Sequence, residues 1–300
     1  MNVFMGYYAG DDVSSGNSNV YLGKDAGRCA TTGSNNIALG TDALGDAVMT
    51  GDYNIALGYA AAEKVTSGAS NIILGNQAGQ KITDGNKNII MGINAGNNGT
   101  GITENVIIGS YAGTRLASGN KNVFIDDAAG RCRDSGDNNV AIGPDALRGA
   151  NTAAANTGSK NVAIGDAAGM CVTAGQYNIF FGNFAGCAIS SGSQNIAIGC
   201  LALSCATTGG GRVAIGQQAA EKACGTNSVF IGTEAAKNVQ CGEDSVYIGR
   251  NVGTQGGTLA DNTGKENIMI GYCAGACGTS GSGNLSIGVN AGQQLTSGNC

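Results

Sequence analysis

Polar and apolar positions along the 300-residue chain repeat with one short pattern: a polar residue, a β-branched aliphatic, a variable residue, a second aliphatic and a glycine. The pattern occurs seventeen times, from NVFMG at the start to NLSIG near the end, with the fifth residue at Gly6, Gly23, Gly40, Gly58 and so on to Gly288, and at Asp126 in the single copy NVFID. Most steps are 17 residues, with two of 22, one of 18 and one of 16. A fixed period of this length marks a solenoid whose rungs stack on one another. The sequence therefore predicts an all-β fold, a β-solenoid (β-roll or β-helix) of seventeen 17-residue rungs forming a single repeat domain over 1–300. The two long steps predict surface loops at 148–158 and 254–264.

Each column has a physical reading. The second and fourth positions are almost always Val, Ile, Leu, Met or Phe, which predicts a short strand with these two side chains on the buried face. The glycine ends the strand, Ala follows three residues later in sixteen of seventeen copies, and Thr/Ser-x-Gly predicts the turn to the next rung. The first position is Asn in fourteen copies, including Asn19, Asn36, Asn54, Asn71, Asn88, Asn105, Asn122 and Asn139. Stacked about 4.8 Å apart, these amides can form a hydrogen-bonded ladder; equally, Asn tolerates a left-handed turn.

The third strand position is expected to point away from the core, yet it holds Phe4, Tyr21, Ile73, Ile90, Ile107, Phe124, Phe180, Phe230, Tyr247 and Met269. Read as an outward stripe over roughly 80 Å of stacked strands, these residues exceed the apolar patch a monomer exposes. They are expected to form the interface of a homotrimer, with a dimer, or a wider rung that buries both walls in one chain, as alternatives.

Composition sharpens the exclusions. There are 53 glycines, one proline, no His and no Trp, and 12% of residues are charged. The absence of His removes the usual general base and the commonest metal ligand, and no phosphate-binding glycine motif precedes a helix. No enzyme activity, cofactor or metal is expected. The net charge of −5 is spread along the chain, so no basic stripe invites nucleic acid. No window suggests membrane insertion, and the N-terminus lacks the pattern of a signal peptide. Neither end resembles a capping repeat, which suggests a segment of a longer fibre or a unit that stacks end to end.

Among eleven cysteines, Cys224 and Cys241 each stand four residues before the next strand in consecutive rungs, within reach of a disulfide at that spacing. The alternative is buried free thiols. Asp126 and Asp127 lack the spacing of a calcium loop and read as an exposed substitution.

The segments NNVAIG, SQNIAIG and KNVAIG are similar to the SVAIG-type repeats of trimeric autotransporter adhesin heads. The longer units NVAIGDAAGMCVTAGQYN and NIILGNQAGQKITDGNKN resemble the repeats of bacteriophage and other viral tail fibres. The resemblance spans essentially the whole chain. It implies a protease-resistant homotrimer on a virion surface or in an extracellular setting, serving as shaft or receptor-binding region against an unidentified host receptor. A bacterial surface adhesin, a self-stacking filament and an ice-binding solenoid are the other classes considered; the Thr column that ice binding needs is broken at Ala117, Asp134 and Ser190.

Overall fold

The computed structural model describes residues 1–151, 156–240, 242–254, 264–276 and 281–293. The chain divides into two compact units, Met1–Thr157 and Gly158–Cys300. In the first unit the strands are β1 (Val3–Met5), β2 (Val20–Leu22), β3 (Ile37–Leu39), β4 (Ile55–Leu57), β5 (Ile72–Leu74), β6 (Ile89–Met91), β7 (Val106–Ile108), β8 (Val123–Ile125) and β9 (Val140–Ile142). In the second they are β10 (Val162–Ile164), β11 (Ile179–Phe181), β12 (Ile196–Ile198), β13 (Val213–Ile215), β14 (Val229–Ile231), β15 (Val246–Ile248), β16 (Ile268–Ile270) and β17 (Leu285–Ile287). Within each unit every strand pairs in parallel with the next, motif position against the same motif position, as Ile72 with Ile89 and Ile73 with Ile90. The fold is thus an all-β parallel solenoid, with one three-residue strand per rung and no helix among the described residues.

The strand stops where the motif ends because the fifth residue takes a φ that L side chains avoid. Gly58 has φ +136, and a Cβ there would meet the carbonyl oxygen of Gly75 in the next rung at 2.4 Å. Beyond it, left-handed residues recur at the second and fourth positions, as Gln77 (φ 54) and Gly79 (φ 52) in the fifth rung. Alternating left- and right-handed residues curl the chain so that alternate N–H groups point along the stack, while others close turns within the rung, as Ala78 to the Gly75 carbonyl (3.4 Å) and Ile82 to that of Gly79 (3.1 Å). The N–H of Gln77 donates to Tyr59 in the rung before (2.8 Å), and that of Gly79 to Ala95 in the rung after (2.9 Å). The backbone hydrogen bonds of this curved wall are thereby shared between inter-rung and within-rung partners.

The interior is narrow. In the fifth rung it consists of Ile73 from the strand centre, Ala78 from the alanine column and Ile82 from the turn, all fully buried. This overturns the expected facing of the strand. Tyr21, Ile73, Ile90, Ile107, Phe124, Phe180 and Phe230 are wholly enclosed by their own chain, Tyr247 and Met269 nearly so, and Phe4 alone, in the first rung, is 38% exposed. The third position is therefore the core column and forms no interface; the second and fourth positions face outward. A rung with a one-residue-wide interior accepts only one strand side chain, and the two neighbours of that residue must point the other way.

Side-chain volume is matched between two positions in most rungs, the pairs Ala56 and Ala62, Ala163 and Gly169, and Ala214 and Ala220 being exceptions. Where the strand centre is large, the fourth residue after the motif's end is usually glycine: a Cβ on Gly27 would lie 2.5 Å from the Tyr21 ring, and one on Gly186 2.4 Å from Phe180. Where the strand centre is Ala38, Ala141 or Ala197, that same position is Leu44, Leu147 or Leu203, each buried. One side chain fills what the other leaves, at the close packing of protein interiors.

Candidate interaction face

The outward strand columns make a continuous apolar face on each unit. Val20, Ile37, Ile55 and their equivalents form one stripe, Leu22, Leu39, Leu57 and theirs the other, partly shielded by their neighbours above and below. Exposure is substantial at Ile72 (38%) and Met91 (38%) in the first unit, and at Ile179 (42%) and Phe181 (53%) in the second. Mostly polar columns flank the stripes: a leading flank just before the Asn and a trailing flank just after the strand-ending glycine, the latter interrupted by Ile93, Pro144, Cys200 and Val289. Over the nine rungs of the first unit, the face with its flanks covers on the order of 800 Å², from rung spacing and strand rise, the area each partner buries in a standard protein interface.

Behind this face the Asn column forms a buried ladder. Asn71 Oδ1 accepts the backbone N–H of Asn88 at 3.0 Å and its Nδ2 at 2.9 Å, while Asn88 Nδ2 also donates to the Ile102 carbonyl at 2.7 Å. The same arrangement joins Asn88 to Asn105, Asn105 to Asn122 and Asn122 to Asn139; Asn19, Asn36 and Asn54 continue it through Oδ1-to-N–H bonds. The left-handed turn belongs to the residue before the Asn, as in Ser70 (φ 61) and Lys87 (φ 55), not to the Asn itself. Where Arg212 replaces Asn, its buried guanidinium donates to Asn195 Oδ1 (2.9 Å) and to the carbonyls of Ala223 (2.8 Å) and Thr208 (2.8 Å). Burial lowers its pKa to about 10.

Other polar columns are also spent on stacking. The hydroxyls of Thr66, Thr100 and Thr173 donate to the carbonyl of the same column one rung on, at 3.0, 3.1 and 3.2 Å. In the turn, Thr103 N–H donates to Asn120 Oδ1 and Asn120 N–H to Asp137 Oδ1, both at 2.8 Å. Asn120 and Asp137 line an open polar groove with Glu104, which lies between Lys87 (3.8 Å) and Lys121 (3.9 Å). These carboxylates serve neighbouring rungs and do not converge on a common point.

Among the described residues no three His, Cys, Asp or Glu side chains come together as a metal site. Asp126 is exposed and its carboxylate caps the N–H of Asp127 at 2.8 Å. Cys224 is an exposed free thiol whose Sγ lies 3.7 Å from the Lys222 carbonyl; Cys241 lies outside the described residues, and the pairing expected of the two lies there with it. Cys171, Cys187 and Cys205 occupy consecutive rungs as free thiols, and burial, with its neighbours' charges secondary, raises Cys187 to about 11. Of the loop at 148–158, residues 152–155 lie outside the described residues; of the rest, Asn156 is fully buried, donates to Cys132 O (2.7 Å) and accepts from the N–H of Ala150 (2.9 Å). Of the loop at 254–264, residues 255–263 lie outside the described residues.

No helix among the described residues is long and apolar enough to cross a membrane. No protein-family model and no curated protein sequence matches the chain.

The outward columns escaped sequence reasoning because Val, Ile and Leu are the more hydrophobic set. The signal that could have found them was the size matching of the third column with the position after the alanine, since only side chains sharing one interior need to compensate each other's volume.

Proposed function

We propose that this chain is a structural, non-enzymatic segment of a virion fibre, a tail-fibre shaft or receptor-binding region, in which three copies pack along their apolar strand faces and act as a rigid spacer. One observation carries the reading: a core complete within a single chain still leaves two continuous columns of Val, Ile, Leu, Met and Phe facing outward. Apolar surface of that extent calls for a partner, and a repeat that presents the same face at every rung suits a partner with the same repeat. The inter-rung ladders support stiffness, and three copies give avidity to weak contacts with a host receptor. The choice of a virion surface over another extracellular setting rests on the likeness of the 17-residue unit to viral tail-fibre repeats.

The test is the mass of the purified chain by sedimentation equilibrium. About three times 29.6 kDa supports the reading. A monomer with the strand face free in solution sinks it, and masses that grow without limit at rising concentration point instead to end-to-end stacking.

A further inference from the structure

The two flanks of the apolar face carry a charge pattern that acts as a register code. In three rungs both flanks are charged, and each time the signs are opposite: Lys121 with Asp127 in the first unit, and Lys160 with Asp166 and Asp244 with Arg250 in the second. All six side chains are exposed. The members of each pair stand six residues apart on opposite edges of the face, with the strand between them, and no ion pair joins them within the chain. Their in-chain contacts run up or down their own flanks: Lys160 donates to Tyr177 in the next rung (2.8 Å), Asp166 accepts from Asn183 (3.3 Å), and the Arg250 guanidinium lies over Tyr272 (4.9 Å).

The geometry points to a second copy of this chain as the occupant of the face, parallel and in register, so that the leading flank of one copy meets the trailing flank of the next at the same rung. This rests on the reading above that copies associate through the strand face, and adds their direction, register and contacting edges. In each unit, a rotation axis parallel to its stack brings unlike flanks together at equal height. An antiparallel twofold brings like flanks together. Sliding by one rung also fails: in one direction no opposite pair forms and Glu104 meets Asp127, and in the other Glu266 against Arg250 is the sole match. In register, the fourth rung additionally brings Tyr53 of one copy beside Tyr59 of the next, both more than half exposed. Each exposed pair contributes little alone, but cyclic symmetry repeats it at every interface, and like charges in a wrong register disfavour that alternative.

The experiment joins neighbouring Lys and Asp with a water-soluble carbodiimide, which forms an amide without a spacer, on a mixture of ¹⁵N-labelled and unlabelled full-length chains. The expected result is mixed-isotope peptide pairs linking Lys121 to Asp127 and Lys160 to Asp166. Separately, Lys160→Asp should weaken association roughly tenfold or more, and Lys160→Asp with Asp166→Lys should restore it. A trimer whose cross-links join different rungs or like flanks, or that forms no such links and is not rescued by the swapped variant, overturns the register while leaving the trimer. A monomeric mass removes both.

Discussion

Asn88 is bound to Asn71 twice, through its backbone N–H at 3.0 Å and its side-chain Nδ2 at 2.9 Å, both to the same oxygen. Every link of the ladder is thus donor to the rung before and acceptor for the rung after. Asn88→Ala strips the acceptor from Asn105 N–H and the donor from Ile102 O, both in a buried setting. Two unsatisfied groups predict a loss of roughly 2–5 kcal/mol in urea unfolding. Asn88→Ser should cost less, because Ser228 accepts the Ser245 N–H and donates to the Gly242 carbonyl in the same column. Asn76→Ala, on the exposed trailing flank, should stay within about 0.5 kcal/mol.

Volume matching makes a second prediction. Ala38→Phe overfills the third rung, where Leu44 already occupies the interior, and should destabilise by about 1–3 kcal/mol. Leu44→Gly alone leaves a cavity and should cost about 2–5 kcal/mol. The double variant recreates the Tyr21 and Gly27 arrangement of the rung before, so its cost should fall below the sum by at least about 1 kcal/mol. Additive losses in a double-mutant cycle would show that the two positions do not share one space.

The rung count, the parallel stacking and the strand positions were legible because a 17-residue period can be read without knowing where any side chain points. Facing was not. In a three-residue strand, alternation says that the two flanking residues oppose the centre, as Ile72 and Leu74 oppose Ile73, but not which side is inside. Hydrophobicity then misleads, since the buried centre is often only Ala, as at Ala38, Ala56 and Ala197. Interior width decides, and it is set by the left-handed curl after each strand, where residues such as Ala60 and Gln77 take φ values near 50° that their side chains do not advertise. The Asn ladder was half legible: the column was visible, while the identity of the turn residue beside it was not.

Acid should loosen one surface cluster. Asp46 is held below the ordinary carboxylate range, first by its hydrogen bond to Lys64, with Arg28 on the other side at 2.9 Å. A carboxylate whose pKa is lower in the folded state adds stability above its unfolded pKa and loses it as pH falls through the folded one. Asp46→Asn should therefore flatten the pH dependence of stability on the acid side of the carboxylate range, with little change at pH 7, since pairs this exposed contribute less than about 1 kcal/mol. An unchanged acid profile in thermal unfolding would count against it.

Asp126 takes the place of the strand-ending glycine and keeps a glycine-like backbone, with φ 100. A non-glycine residue in that region stores about 1–3 kcal/mol of strain, whereas glycine costs under about 1 kcal/mol in lost chain entropy. Its carboxylate returns a little through the Asp127 N–H at 2.8 Å, an exposed bond that water replaces at small cost. Asp126→Gly should then stabilise by about 1 kcal/mol, read as a higher urea midpoint with an unchanged slope. The converse, Gly109→Ala, should be severe, because the new Cβ would lie 2.3 Å from the Asp126 carbonyl oxygen at a φ of +140. If Asp126→Gly instead destabilised the chain, the residue would have to be held by an interaction strong enough to outweigh its backbone, and the exposed carboxylate would become the group to follow.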